Sequence, residues 1–356
     1  MVDSLDTVNF PFTSIQLSGS INRIPINYGL LNALNLFPSE GSISTIIEIV
    51  IEDGAIRVLP AKERGSAATP GDRGGRKSTF IECPHFPAED LITPRDLQNM
   101  ISIVNGTKGV RTLGDEVAKR LFNIRNKHTI TREWLRMGAL KGLVTDGNGA
   151  TLVDLYATFG ITKVTIDFLL GGAGTDIIDK CTQLRTSIAN NLKGEVMSSV
   201  EVIVSTSFFN KLIQHAKVEK FWLNWQGAQA LAQPAFAPGT GPIDRNGQPT
   251  ALGRSFVFQQ ILFREYNGQA PIGTTRTLTP FVPVDYGYAY PAGTMDTFET
   301  WDAPANDIRA VNQPGQEIWI SPEILKHGEG VELKPQSNPL AICKRPEALV
   351  EVMASN

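Results

Sequence analysis

Apolar and polar residues alternate over residues 44–52 (STIIEIVIE), Asp53-Gly54 follows, and a second alternating run fills 55–59. β-branched residues at every second position favour a half-buried strand, and Asp-Gly supplies the positive φ of a tight turn, so this passage predicts a hairpin. A returning strand at 77–86, closed by Pro84 and Pro87, extends it into a two-stranded tongue over 42–89. Between the strands, residues 61–77 hold four Gly, no large apolar side chain, and five basic residues against two acidic. Such a stretch cannot bury itself and reads as a basic loop tip.

A helical period takes over at 114–141. Val117, Leu121, Ile124, His128, Leu135 and Gly138 recur on one face, Thr112 with Asp115 offers an N-terminal cap, and Gly142 a stop. The span predicts a rod of about 42 Å. Its other face is basic: Lys119, Arg120, Arg125, Lys127, Arg132, Arg136 and Lys141 stand against three acids. By contrast, residues 285–335 carry nine acids and three bases. A polarised surface is the expectation.

The remaining pattern is mixed. Short apolar pieces broken by Pro11, Pro25 and Pro38 read as an extended arm. Strands are expected at 152–158, 162–169, 200–205, 256–266, 281–290 and 318–320, and helices at 175–192 and 206–226. Residues 227–253 are rich in Gly, Pro, Ala and Gln. The class is α+β, with no repeat of domain-building length.

Composition narrows the functions. The 356 residues are 42% hydrophobic and 19% charged, ordinary for a globular chain, which excludes wholesale disorder. A net charge of -3 argues against a dedicated DNA-binding protein, leaving only local patches for nucleic acid. The first twenty residues are no signal peptide, and the longest uncharged run, 221–243, is interrupted by Pro234, Pro238 and Pro242. No membrane role follows. Cys83, Cys181 and Cys343 lie far apart and odd in number, forming neither a disulfide framework nor a CxxC pair.

Catalytic motifs are weak. The loop 171–176 (GGAGTD) precedes a helix but lacks the lysine of a phosphate loop and reads as a connector and cap. Ser205 and Ser207 have no nucleophile elbow around them and read as caps. Cys83 and His85, two apart on an extended stretch, raise a nucleophilic pair without an oxyanion donor. Trp222 and Trp225 read as core, and His128, His215 and His327 as packed or solvent-facing. No catalytic, cofactor or metal residue is expected, although an enzyme using 171–176 or Cys83/His85 stays open as an alternative.

Several stretches together carry a resemblance. They are Asp53-Gly with Val58-Leu-Pro60 and Arg64-Gly65, Glu82-Cys-Pro-His-Phe-Pro87, Arg136-Met-Gly-Ala-Leu-Lys-Gly142, Asp154-Leu-Tyr156 with Phe159-Gly160, and Leu223-Asn-Trp-Gln226. The most specific is Gly330-Val-Glu-Leu-Lys-Pro-Gln-Ser-Asn-Pro-Leu340 with Cys343-Lys-Arg-Pro346. In this order they resemble the major capsid protein E family of tailed phages, the lambda gpE-like proteins with the Hong Kong 97-like capsid fold. The resemblance implies an N-terminal arm (1–41), an extended loop (42–89), a peripheral domain with a long spine helix (90–170 and 331–356) and an axial domain (171–330). It implies a structural, non-enzymatic protein of the virion head, assembled in the host cytoplasm as hexamers and pentamers of an icosahedral procapsid that matures around double-stranded DNA.

Further expectations follow from the resemblance. The tongue residues Ile47, Ile49, Lys62, Arg64, Arg73, Arg76 and Lys77 would contact a neighbouring subunit. The helix residues Lys119, Arg120, Arg125, Lys127, Arg132 and Arg136 would meet packaged DNA non-specifically, an acidic scaffold, or acids of neighbouring subunits. Partners would be the chain itself, a scaffolding protein, a portal protein, and a decoration protein where one exists. With no long helical scaffold segment at its start, the chain is expected to rely on a separate scaffolding protein. A sequence opening at Met1 carries the expectation of no N-terminal proteolytic maturation. Some shells of this fold join a tongue lysine to an asparagine, and Lys62, Lys77 and Asn338 offer those residue types. A tail-tube or decoration protein is the other virion reading, against which the long helix speaks.

Overall fold

The computed structural model describes residues 11–24, 29–52, 76–97, 101–104, 107–110, 113–192, 195–221 and 253–355. Its axis is a helix of 29 residues, Leu113–Lys141, one residue longer than its apolar period predicts. Gly142 ends it at φ +80, where a Cβ would lie 2.1 Å from the Tyr156 ring, so only glycine fits.

Three apolar cores share this frame. One lies along the first third of the long helix: Val117, Leu121 and Ile124 meet Leu17 and Ile21 of the helix Ser14–Asn22 and Ile318, Ile320 and Leu333 of a sheet. That sheet pairs Trp319–Ile324 with Val331–Ser337, whose far side takes Phe86–Pro87 and Asp90–Ile92. Its outer edge is closed by side chains of the first helix: Ser18 Oγ accepts from the Ile320 amide at 2.9 Å, and Asn22 Nδ2 donates to the Ile318 carbonyl at 3.1 Å. The second core surrounds the last turns of the long helix and includes the root of the tongue and the strand Pro339–Cys343.

The third core lies under a six-stranded mixed sheet. In order, its strands are Val164–Asp167, Val350–Met353, Tyr286–Ala292, Ser199–Val204, Ile261–Glu265 and Ser255–Phe258. The helices Ile177–Asn191 and Thr206–Gln214 add Ile177, Cys181, Leu184, Ile188, Phe208, Phe209 and Leu212 to this core. Sheet pairing cuts across the domain limits expected at 170/171 and 330/331. Strands 164–167 and 350–353 join the six-stranded sheet, whereas Phe298–Asp302 pairs with Pro339–Cys343 beside the long helix.

Several local expectations change. The arm holds helices at Ser14–Asn22 and Leu30–Leu34, the first started by a reciprocal cap between Thr13 and Gln16. The strand expected at 152–158 stops at Asp154, whose carboxylate accepts from the Ala157 amide at 3.0 Å and starts the helix Leu155–Phe159. The strand expected at 256–266 is a hairpin, turned by Gln259 and Gln260 at φ +49 and +63. The helix expected over 206–226 breaks at His215, whose backbone is extended. Within the tongue, Ile46–Glu52 pairs antiparallel with Arg76–Glu82. Asp53-Gly54 and the run 55–59 lie outside the described residues.

Candidate assembly surfaces

The middle of the long helix is polar and buried, because partners distant in sequence arrive to meet it. Arg125 binds Glu317 at 2.6 Å and Arg132 binds Asp302 at 2.5 Å. Arg136 donates to Thr300 Oγ1, Asn32 Oδ1, the Phe37 carbonyl and Ser39 Oγ at 2.7–3.2 Å. All three arginines are within 5% of full burial. Burial works to raise the Glu317 carboxyl, but the charges of Arg132 and Arg125 outweigh it and hold the group low. For Asp302, burial prevails over Arg132 and the carboxyl is raised.

These positions correct the expected basic face. Arg125, Arg132 and Arg136 cannot touch DNA, a scaffold or a neighbour's acids; Arg125 and Arg132 are neutralised inside the subunit by the acidic segment itself, and Arg136 gives its donors to neutral oxygens. Arg120 is also engaged, with Asp90 at 2.8 Å, Glu116 at 3.1 Å and Asp96 at 3.5 Å. Lys141 lies over the rings of Trp134 and Tyr288 at 5.4 and 5.7 Å, and burial lowers its ammonium to about 8. Lys119 and Lys127 remain on the outside, with Phe122 between them.

Glu133, which the sequence reading passed over, clasps the arm. Its side chain is fully buried; Oε1 accepts from the Leu31 amide at 2.8 Å and the Tyr266 hydroxyl at 2.9 Å, and Oε2 from the Asn32 amide at 3.0 Å. The carboxylate thereby caps the helix Leu30–Leu34. Gly29, at φ +100, makes room for it, since a Cβ there would lie 2.4 Å from Oε2. Burial raises the Glu133 carboxyl, against the pull of those amides and the hydroxyl. His128 accompanies it on the buried side, held by Ser337 at 2.7 Å, and burial with the nearby charges of Arg125, Lys127 and Arg132 lowers it to about 4.

The tongue also differs from expectation. Ile47 and Ile49 are 7% and 2% exposed and belong to the subunit's own second core, so they are not free to meet a neighbour. The outward face of the hairpin carries Ile46 and Phe80, 51% and 65% exposed, with Glu48 and Glu82 beside them. Register places Ile46 opposite Glu82 and Glu48 opposite Phe80. Arg76 and Lys77 pair through their backbones with Glu52 and Ile51. Lys62, Arg64 and Arg73 lie outside the described residues, as do Trp222 and Trp225.

The weak catalytic motifs resolve into structural parts. Cys83 is buried, and burial together with the charges of Asp302 and Glu82 pushes its thiol to about 12, far from a thiolate. His85 points outward, and its Nδ1 meets Asn338 Oδ1 at 2.7 Å. Asn338 donates in turn to the Pro304 carbonyl at 2.6 Å; its amide is buried and occupied, which removes it as a cross-link acceptor. In the loop 171–176, Asp176 caps the following helix through the Ile178 amide, and the carbonyls of Gly172 and Gly174 face His215 and Lys217 Nζ. A phosphate loop would present amides. Ser205 caps its helix at 3.3 Å from the Phe208 amide. Among the described residues no group of three metal-ligating side chains occurs, and no helix is long and apolar enough to cross a membrane.

The C-terminal motif ties the cores together. Lys344 reaches Asp296 and Glu299 at 2.7 Å each, and Arg345 reaches Glu195 at 2.9 Å and the Leu192 carbonyl at 2.5 Å. Glu195 also accepts from the Met295 and Asp296 amides, fixing the turn that precedes Phe298–Asp302.

Comparison with known proteins agrees with this architecture. The model of the family described as phage major capsid protein E matches residues 13–354. A major capsid protein of Salmonella phage Felix O1 is 31% identical over 360 residues, covering 96% of each chain. One of Pseudomonas phage KPP10 is 28% identical over 358 residues, covering 98% of this chain and 97% of its own. Among solved structures, the protein described as a prophage capsid protein of E. coli CFT073 superimposes with a TM-score of 0.57 at 12% identity, covering 97% of this chain and 99% of that one. That likeness concerns the fold.

Proposed function

The chain belongs to the phage major capsid protein E family, and on that premise we propose how its parts build the head of a tailed phage. The protein is a structural component of the capsid, in the α+β Hong Kong 97-like fold, and the family is not one of enzymes. The observation that carries the reading is a family match running through nearly the whole chain, from residue 13 to residue 354.

Copies would tile the shell as hexamers and pentamers, first as a procapsid on a separate scaffolding protein, with a portal at one vertex. The six-stranded sheet with its two helices would form the axial domain. The long helix with the two smaller sheets would form the peripheral one. The tongue would reach a neighbouring subunit through its outer face, Ile46, Glu48, Phe80 and Glu82, because its inner face is already spent on the subunit's own core. A two-stranded ribbon is marginal alone in water, which fits an element stabilised by an adjacent copy. Contact with packaged DNA, where it occurs, would be to phosphates and without base readout.

Sedimentation of the purified chain, alone and co-expressed with a scaffolding protein, tests this reading. Closed particles of shell size are expected. Monomers or small oligomers only, with scaffold present, would refute it.

A further inference from the structure

Lys141, the last residue of the long helix, is half-buried in a setting of aromatic rings and a like charge. About two turns earlier on the same helix, the Trp134 ring is fixed by its Nε1, which donates to the Thr145 carbonyl at 3.0 Å, and Lys141 Nζ lies 5.4 Å from the ring centroid. Tyr288 arrives on the strand Tyr286–Ala292 and sets a second ring 5.7 Å from Nζ. Sheet register puts Glu351 directly opposite Tyr288, and this carboxylate bonds both the Tyr288 hydroxyl and Lys163 Nζ, the latter at 2.5 Å. Glu351 is thereby committed to other donors, and among the described residues Lys141 makes no ion pair, while the charge of Lys163 acts on it as a like neighbour.

An ammonium placed here is at a disadvantage on two counts. Burial strips its water and Lys163 repels it, and together they outweigh Glu351 and bring the group from 10.5 to about 8. At pH 7.5 about one Lys141 in four then carries a free lone pair, against about one in a thousand for a solvated lysine. A lysine that is both desolvated and beside a second cation is a nucleophile toward carbonyl carbon. We propose that Lys141 is a covalent-modification site for small aromatic aldehydes, whose ring lies against Trp134 or Tyr288 while the carbonyl meets Nζ. The lone pair attacks the carbonyl carbon and an N–C bond forms. The carbonyl oxygen then leaves as water with the two amine hydrogens, giving an imine with no change of oxidation state. The thiols do not compete: burial pushes Cys83, Cys181 and Cys343 each to about 12. The site lies within one subunit, so the inference goes beyond the capsid reading and does not depend on it.

The test exposes the soluble subunit to benzaldehyde and cyanoborohydride at pH 7.5 and follows the reduced adduct at each lysine by peptide mass spectrometry. Lys141 is expected to react at least about tenfold faster than the exposed Lys119 and Lys127, because the lower basicity of its amine takes back only part of the gain in neutral form. Its rate should level off above about pH 8, whereas theirs climb to about pH 10. Lys163→Met frees Glu351 to pair with Lys141 and should slow the reaction there several-fold while leaving Lys119 unchanged, with circular dichroism checking that the variant folds. Equal rates at the three lysines of the wild type would overturn the inference. So would a Lys141 rate still climbing beyond pH 9, or one undiminished in folded Lys163→Met. Closed particles form or fail to form whatever these rates are, which keeps the capsid reading separate from this one.

Discussion

The Tyr266 hydroxyl donates to Glu133 Oε1 at 2.9 Å, and this bond joins three stretches far apart in the chain. Tyr266 continues the sheet side, its amide bonded to the Val204 carbonyl and its ring stacked on Phe281 at 5.2 Å. Glu133 sits mid-helix and grips the amides of Leu31 and Asn32. The arm, the long helix and the six-stranded sheet therefore meet at one buried carboxylate. A group that accepts from three donors in a dry site fixes geometry more than it adds stability, since its desolvation offsets much of the gain.

Removing the carboxylate should be far worse than removing the hydroxyl. Glu133→Ala leaves a buried amide, a part-buried amide and a buried phenol without this acceptor and is expected to cost about 3–5 kcal/mol, whereas Tyr266→Phe should cost about 1 kcal/mol. Urea unfolding of the soluble subunit measures both. Equal losses, or an unaltered Glu133→Ala, would show that the clasp does not hold the arm.

The Arg132–Asp302 pair lends itself to a double-mutant cycle. Arg132→Met strands a buried aspartate and should destabilise by about 3–5 kcal/mol, while Arg132→Met with Asp302→Leu should recover much of that loss. For the same reason Arg125→Glu with Arg132→Glu should give subunits that do not fold, since each new carboxylate faces Glu317 or Asp302 at close range. Soluble, folded protein from that variant would contradict the buried assignment.

What the sequence made legible follows from what is local. The long helix emerges from its period to within one residue, and Gly142 and Asp176 mark a stop and a start by conformation and capping alone. The basic face was misplaced for a nonlocal reason. Arg132 meets Asp302 and Arg125 meets Glu317 across long loops, and nothing along the helix distinguishes an arginine with such a partner from a solvated one. Similarly, alternation showed that one face of the tongue is buried, but not that the covering surface belongs to the same subunit.

His128 should give the subunit a measurable acid sensitivity. Its imidazole is lowered from 6.5 to about 4 in the folded chain by burial and the adjacent Arg125, Lys127 and Arg132 charges, so below pH 6.5 the unfolded chain takes up a proton that the folded one refuses. Stability is full above pH 6.5 and declines as pH falls from 6.5 to about 4, by up to ~3 kcal/mol. Glu133 and Asp302, both raised, act in the opposite sense. Comparing His128→Gln with the wild type in urea at several pH values isolates the histidine. The variant should lose less stability across that window, and parallel curves would exclude the effect.

The two faces of the tongue should respond differently to substitution. Ile49, only 2% exposed inside the second core, is expected to tolerate no charge: Ile49→Asp buries an unpaired carboxylate and should cost more than about 4 kcal/mol, giving insoluble subunits. Phe80, 65% exposed, contributes little to the isolated fold, so Phe80→Ser should leave the melting temperature within a few degrees of wild type while lowering the yield of closed particles. Deleting residues 61–75, which contain no large apolar side chain and precede the paired strand Arg76–Glu82, should likewise spare the fold and impair the shell. Solubility, melting temperature and sedimentation of the three variants separate the two roles. Stable, fully populated shells from both Phe80→Ser and the deletion would show that the tongue's outer face and tip carry no subunit contact, and Ile49→Asp would then matter for folding alone.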